Sequence, residues 1–146
     1  MRRHQLARDR ALTWQFCQVK LTILPGMYED VRPYVPGARG EGLLFKPEGT
    51  DYYIARLDGV VCGFCGVRWH GRSCTFKNDY VLPEYRGRGV HDEMMRYRLR
   101  LARERGVSVV RATCTKDSIR TYVRLGGTIR RVRQCGTYDV ELKIQG

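Results

Sequence analysis

The chain has 146 residues, 27 Lys+Arg against 15 Asp+Glu, a formal net charge of +12 and 42% apolar residues. That length suits a single domain over 1–146 and is short for two. No run reaches the roughly 20 apolar residues of a membrane span, and no apolar h-region follows Met1-Arg2-Arg3-His4, so neither a membrane nor a secretory protein is expected and a cytoplasmic one is.

Residues 1–12 are polar and Arg-rich and read as either a short helix or a flexible basic arm. Thr13 to Leu24 alternates as a strand through Phe16, Val19, Leu21 and Ile23, and Pro25-Gly26 ends it. Met27 to Val35 reads as a short helix limited by Pro33, and Pro36 to Gly49 as a loop. Tyr52–Leu57 and Val60–Trp69 form a hairpin about Asp58-Gly59, and Arg72–Leu82 adds a third strand after His70-Gly71. Gly89 to Arg105 reads as a helix with Val90, Met94, Tyr97 and Leu101 on one stripe, and Arg96, Arg100 and Arg103 on a solvated face. A β-branched strand, Val107–Thr113, is followed by a helix from Lys116 to Leu125 and a closing hairpin, Thr128–Val132 with Tyr138–Ile144. The order predicts an α+β domain, α/β/α layered, with a mixed, mostly antiparallel sheet.

Arginine supplies most of the positive charge, and its planar fork suits phosphate. A nucleic acid, a phosphorylated co-substrate or another acidic macromolecule is therefore a candidate partner, while an ordinary solvated surface accounts for the charge equally. Most of the six cysteines sit in strand-like apolar runs, which favours free buried thiols over a disulfide framework. Cys62-x-x-Cys65 with His70 and Cys74 imitates a zinc knuckle, but two cysteines three apart in a regular strand point to opposite faces, so no metal site is expected.

Arg86-Gly87-Arg88-Gly89 stands where a strand hands over to a helix. A helix start offers unpaired N–H groups and the positive dipole end, and glycine lets that backbone approach an anion. A solvated turn has the same composition, and the pattern is neither a P-loop nor a Rossmann fingerprint. The surrounding stretch LPEYRGRGVH resembles the acyl-CoA pyrophosphate loop of the GNAT N-acetyltransferase superfamily, usually Arg/Gln-x-x-Gly-x-Gly/Ala, as in small phage or bacterial members. Arg86 takes the first position, Gly89 the middle glycine, and His91 the last, normally small, position. RLDGVVCGFCGVRW resembles the family's second hairpin, and TKDSIRTYVRLGG its later helix, with Tyr122 at the Tyr position, Gly126 at the Gly, Thr115 for the usual Asn and Ser118 for the usual Ala. The resemblance spans roughly Asp51 to Gly127.

The resemblance implies a GNAT-like acyl-CoA N-acyltransferase fold and acetyl-CoA as co-substrate, lying where two strands splay apart. Tyr80, Val81 and Leu82 would pair with the pantetheine arm, and Gly87, Arg88, Gly89, Val90 and His91 would hold the pyrophosphate, with Arg86 and Arg88 adding charge. Thr115 and Ser118 complete the implied co-substrate set. An amine would attack the thioester directly, and Tyr122 would protonate the leaving thiolate. From the residues themselves, Asp79 is the candidate base, because it interrupts an apolar strand on the face of Val81; pairing with a basic side chain explains it equally, and Glu84 is the weaker choice. The acceptor amine stays open, as does the choice between monomer and homodimer. Two rivals remain: a phage-type enzyme modifying DNA bases, and a non-catalytic nucleic-acid-binding module on the same fold.

Overall fold

The computed structural model describes residues 20–144. In chain order the elements are β1 (Leu21–Gly26), α1 (Tyr28–Val31), α2 (Val35–Gly40), β2 (Asp51–Leu57), β3 (Val60–His70), β4 (Ser73–Val81), α3 (Val90–Glu104), β5 (Val109–Cys114), α4 (Lys116–Arg124), β6 (Thr128–Val132) and β7 (Tyr138–Lys143). The strands form one sheet in the order β1-β2-β3-β4-β5-β7-β6. Among the described strands only β4 and β5 run parallel; every other described pair is antiparallel. The expected α+β class with a mixed sheet is the class observed.

The meander follows from its turns. Asp58 and Gly59 have φ of 49° and 82°, the pair of positive values that a tight two-residue hairpin turn needs. One face of the sheet packs Val31, Val35, Ala38, Phe45, Tyr52, Ile54, Phe64 and Tyr80 beneath α1 and α2. The other carries the larger cluster, in which Cys65, Val67, Phe76, Val110, Ala112 and Leu142 lie with Met94, Met95, Leu99 and Tyr122.

Four local expectations are corrected. The segment read as a loop contains α2, Val35–Gly40, with Pro36 in the first turn, where the missing N–H would have no helical partner anyway. The first strand continues through Pro25 to Gly26, tolerated because β1 is an edge strand; Thr13 to Val19 and the basic arm lie outside the described residues. The buried face of α3 is Val90, Met94, Met95, Arg98, Leu99 and Ala102, with Tyr97 and Leu101 only flanking it. The reason is Arg98, fully buried at the centre of that face, which a stripe of apolar residues cannot reveal.

The fourth concerns the cysteines. A register shift opposite Ala55/Arg56 adds a residue to β3, so Cys62 and Cys65 both enter the core cluster beneath α3 instead of facing opposite ways. All five described cysteines are free thiols. Among the described residues, no group of three or more His, Cys, Asp or Glu side chains is placed to hold a metal ion. No described helix is long and apolar enough to cross a membrane.

Candidate active site

β4 pairs with β5 only from Ser73 to Phe76, against Val109 to Ala112, and then the two strands part. A second bulge sits at the parting, where Asn78 has φ 57° and β4 carries an extra residue opposite Phe64/Gly66. The Asn78 amide donates to Leu44 O at 2.7 Å, and its oxygen accepts from the Tyr52 hydroxyl at 3.3 Å. These bonds hold a left-handed backbone that asparagine tolerates better than most residues. Beyond the bulge, Asp79 faces α3 while Tyr80 faces the α1–α2 side.

β4 leads through Pro83–Tyr85 into the loop Arg86–Gly89 and then into α3. Gly87 and Gly89 have φ of 77° and 79°. The first bond of the helix runs from Glu93 N to Gly89 O at 3.1 Å, so the amides of Gly89, Val90, His91 and Asp92 have no helical acceptor. Four free amides at the positive end of a fifteen-residue helix fit a pyrophosphate. They open on a cleft of about 540 Å³ whose wall includes Tyr80, Val81, Gly87, His91, Thr115, Ser118 and Arg120. Nothing lies within 4 Å of a Cβ built on Gly89, so a substitution there is opposed by its backbone conformation and not by crowding. Gly89→Val is expected to weaken CoA binding more than tenfold, over about 1.4 kcal/mol, in a calorimetric titration. Unchanged affinity would remove the loop from the binding site.

The other expected site residues are placed as follows. Thr115 caps α4: Thr115 N donates to Ser118 Oγ at 3.0 Å and Ser118 N to Thr115 Oγ1 at 3.4 Å, a reciprocal box that explains both residues structurally while leaving them on the cleft wall. Arg86 braces the loop: Nε donates to Val81 O at 2.9 Å and Nη2 to Glu41 at 2.6 Å. Glu41 also accepts from the Tyr80 hydroxyl at 2.8 Å; that bond, then the one from Arg86, holds its carboxyl below the usual range. Arg88 stacks 5.6 Å over the Tyr85 ring and has no acidic partner among the described residues, which leaves it the freer of the two loop cations. Glu84 is exposed in the short turn after β4.

Asp79 is not a free carboxylate. Arg98 Nη1 and Nη2 donate to its two oxygens, each at 2.6 Å, and His91 Nε2 lies 2.9 Å from Oδ2. Burial opposes the Asp79 charge, but the Arg98 cation, followed by the His91 and Arg98 hydrogen bonds, outweighs it and holds the carboxyl at about 2. Since Asp79 is ionised it accepts, and His91 Nε2–H donates. Held ionised and bonded on both oxygens, Asp79 is a poor acceptor for a proton from an alkyl ammonium. The lone acidic residue in the strand was legible; its partner Arg98, and Glu41, were missed. Four-residue spacing from Met94 was the available sign for Arg98.

Tyr122 lies on α4 with 2% of its surface exposed, within the core cluster beside the Asp79–Arg98 pair. Burial, and then the Asp79 charge, raise its hydroxyl well above the usual tyrosine range. Burial likewise pushes the Cys65 and Cys114 thiols up to about 12, so neither is a nucleophile near neutrality.

A parallel strand pair splayed at a bulge, followed by a glycine turn into a long helix, is the architecture of an acyl-CoA N-acyltransferase. The sequence matches the Acetyltransferase (GNAT) family over residues 13–126, and the chain belongs to that family. It is by membership an acyl-CoA-dependent N-acyltransferase, with acetyl-CoA as co-substrate. Among solved structures it is similar to Ard1 from Thermoplasma volcanium, at 19% identity and TM-score 0.72, over 88% of this chain and 100% of that one. It is also similar to PaiA N-acetyltransferase from Thermoplasma acidophilum in complex with coenzyme A, at 13% identity and TM-score 0.69, over 86% and 99%. A third is N-acetylglutamate synthase from Neisseria gonorrhoeae complexed with coenzyme A and N-acetyl-glutamate, at 12% identity and TM-score 0.70, over 88% of this chain and 36% of that one. No curated protein matches the sequence.

Proposed function

We propose that the protein transfers the acetyl group of acetyl-CoA to a primary amine by direct attack, with Tyr122 as general acid. The observation that carries this reading is the continuity of the cleft. It joins the free amides at the start of α3 to the end of β4 beyond its pairing with β5, so one wall offers amides suited to phosphate and the other a strand edge that β5 does not pair.

In this reading Gly87 to His91 bind through their amides, with Arg88 supplying charge, and Tyr80 to Leu82 offer strand backbone to the extended arm. Tyr122 keeps its proton near neutrality and gives it to the leaving thiolate. The test is calorimetry of CoA on the full chain, followed by thiol release from acetyl-CoA with a panel of primary amines. Tight CoA binding with no thiol release for any amine favours the non-catalytic module; no CoA binding overturns the reading altogether.

The acceptor amine is carried, in our reading, on an anionic molecule such as a nucleic acid, which is also what the DNA-modifying rival requires. Strand β6 is exposed at every position and presents Arg130 and Arg131. Binding to a DNA duplex is expected to weaken linearly in log K against log salt, and Arg130→Gln with Arg131→Gln to flatten that slope by about 2. Failure to bind duplex or single-stranded DNA or RNA at low salt points to a small-molecule or protein acceptor instead.

A further inference from the structure

We propose that His91 is the proton acceptor of the cleft, and that Asp79 and Arg98 are positioning residues that hold its ring with Nε2–H turned inward and Nδ1 toward the acceptor. This rests on the acetyltransferase reading of the cleft and goes beyond it by naming the base and its support.

The observations are geometric. His91 is the second residue of α3, and its side chain, about a quarter exposed, lines the cleft. Its Nε2 is committed to Asp79 Oδ2 at 2.9 Å, and no described residue bonds to Nδ1. Asp79 is in turn fixed by both terminal nitrogens of Arg98. Arg98 is fully buried, donates to Gly66 O at 3.2 Å and lies 4.3 Å over the Phe76 ring. A guanidinium, a carboxylate and an imidazole are thus aligned from the core to the cleft, and the imidazole alone reaches the wall with a free nitrogen. A side chain at this position of the loop would be expected to crowd the pyrophosphate. Here the ring is instead bonded to Asp79 on β4.

The chemistry balances. Histidine ordinarily changes charge near neutrality, which suits a base at physiological pH. An acceptor R–NH3+ gives one proton to Nδ1, leaving R–NH2 and an imidazolium whose Nε2–H faces the Asp79 carboxylate. The nitrogen lone pair forms the C–N bond, the C–S bond breaks, and the second nitrogen proton passes to solvent water. The thiolate takes the Tyr122 proton, which solvent restores. The net reaction converts R–NH3+ and the thioester into the amide, the thiol and one H+. The charged groups that line the cleft with His91 are Glu41 after α2, Asp79 on β4, Arg86 in the loop, Asp92 on α3, and Asp117, Arg120 and Arg124 on α4, with Arg124 paired to Asp92 at 3.3 Å and Arg98 behind Asp79.

Two measurements test it on the full chain. The first needs no acceptor: nitrogen-15 NMR of the histidine side chains in the free protein should show that the neutral form of the His91 ring carries its proton on Nε2, and Asp79→Asn should leave a mixture of tautomers. A proton on Nδ1 in the wild type overturns the proposal. The second compares acetyl transfer to n-propylamine, an ammonium at neutral pH, with transfer to hydroxylamine, which is neutral there. His91→Asn should lower kcat/KM for n-propylamine by about 10²-fold and abolish the acidic limb of its pH profile. Transfer to hydroxylamine, measured at saturating acetyl-CoA, should fall much less. Equal losses for both nucleophiles, or an unchanged pH profile, overturn the base assignment while leaving the acetyltransferase reading intact. Loss of CoA binding in the wild type would instead sink that reading. Asp79→Asn, which keeps the side-chain shape, should reproduce the His91→Asn pattern in weaker form; an Asp79→Asn protein with the wild-type pH profile removes Asp79 from the device.

Discussion

Arg98→Met should be among the most damaging single substitutions in the core, lowering stability by about 3–5 kcal/mol. The side chain is fully buried, and methionine fills much of its volume, so packing loss is a minor part. The cost comes from Asp79, which would remain in place with its charge and without the two 2.6 Å donors that balance it. For a chain of this length that loss corresponds to a fall in Tm of roughly 10–20 °C. The double variant Asp79→Leu with Arg98→Met removes both charges together and should recover most of the deficit, because a buried pair exchanged for apolar side chains is often close to neutral. A thermodynamic cycle on the four proteins separates the pair from packing. If Arg98→Met is as stable as the wild type, the pair is not the electrostatic centre of this core.

The pH dependence gives the same claim a sign. In the folded wild type Asp79 is held at about 2, below the 3.8 of a free carboxyl. Its contribution is therefore fully present above the free carboxyl's range and is lost as pH falls through that range toward the lowered folded value. In Arg98→Met the order reverses, since burial without a cation favours the protonated acid. The gap between the two proteins should narrow as pH drops from 7 toward 4, and chemical denaturation at several pH values would show it.

These residues also mark where the sequence could be read and where it could not. The meander, the long helix and the closing hairpin follow from alternation, four-residue spacing and glycine turns, all local signals. The cleft was legible because Gly87 and Gly89 serve a backbone need that side chains cannot. α2 was hidden behind Pro36, whose cost vanishes in a first helical turn. Cys62 and Cys65 share a face because of a bulge, and strand alternation assumes none. The roles of Arg98 and Glu41 were hidden for a different reason. Each is placed by a partner 19 or 45 residues away, and only the folded sheet brings Asp79 under α3 or Arg86 beside Glu41.

Tyr122→Phe is the substitution on which the chemical step turns, with kcat expected to fall by about 10²-fold. The ring would still occupy its buried place between α4 and the sheet, so stability and CoA affinity should change little. Only the hydroxyl is lost, and with it the proton for the thiolate. The low end of the usual 10²–10⁴-fold range is expected for a physical reason. Burial and the Asp79 charge make this hydroxyl a weaker acid than an ordinary tyrosine, and a thiolate is a tolerable leaving group without help. The same shift keeps the proton on Tyr122 throughout the neutral and mildly alkaline range, so the wild-type rate should show no basic limb from this residue below about pH 10. The measurement is kcat at saturating acetyl-CoA against pH, with n-propylamine as the acceptor, for wild type, Tyr122→Phe and His91→Asn. Loss of Tyr122 should lower the whole profile, whereas loss of His91 should change its shape. Full activity in Tyr122→Phe would make Tyr122 a core tyrosine and leave solvent to protonate the thiolate.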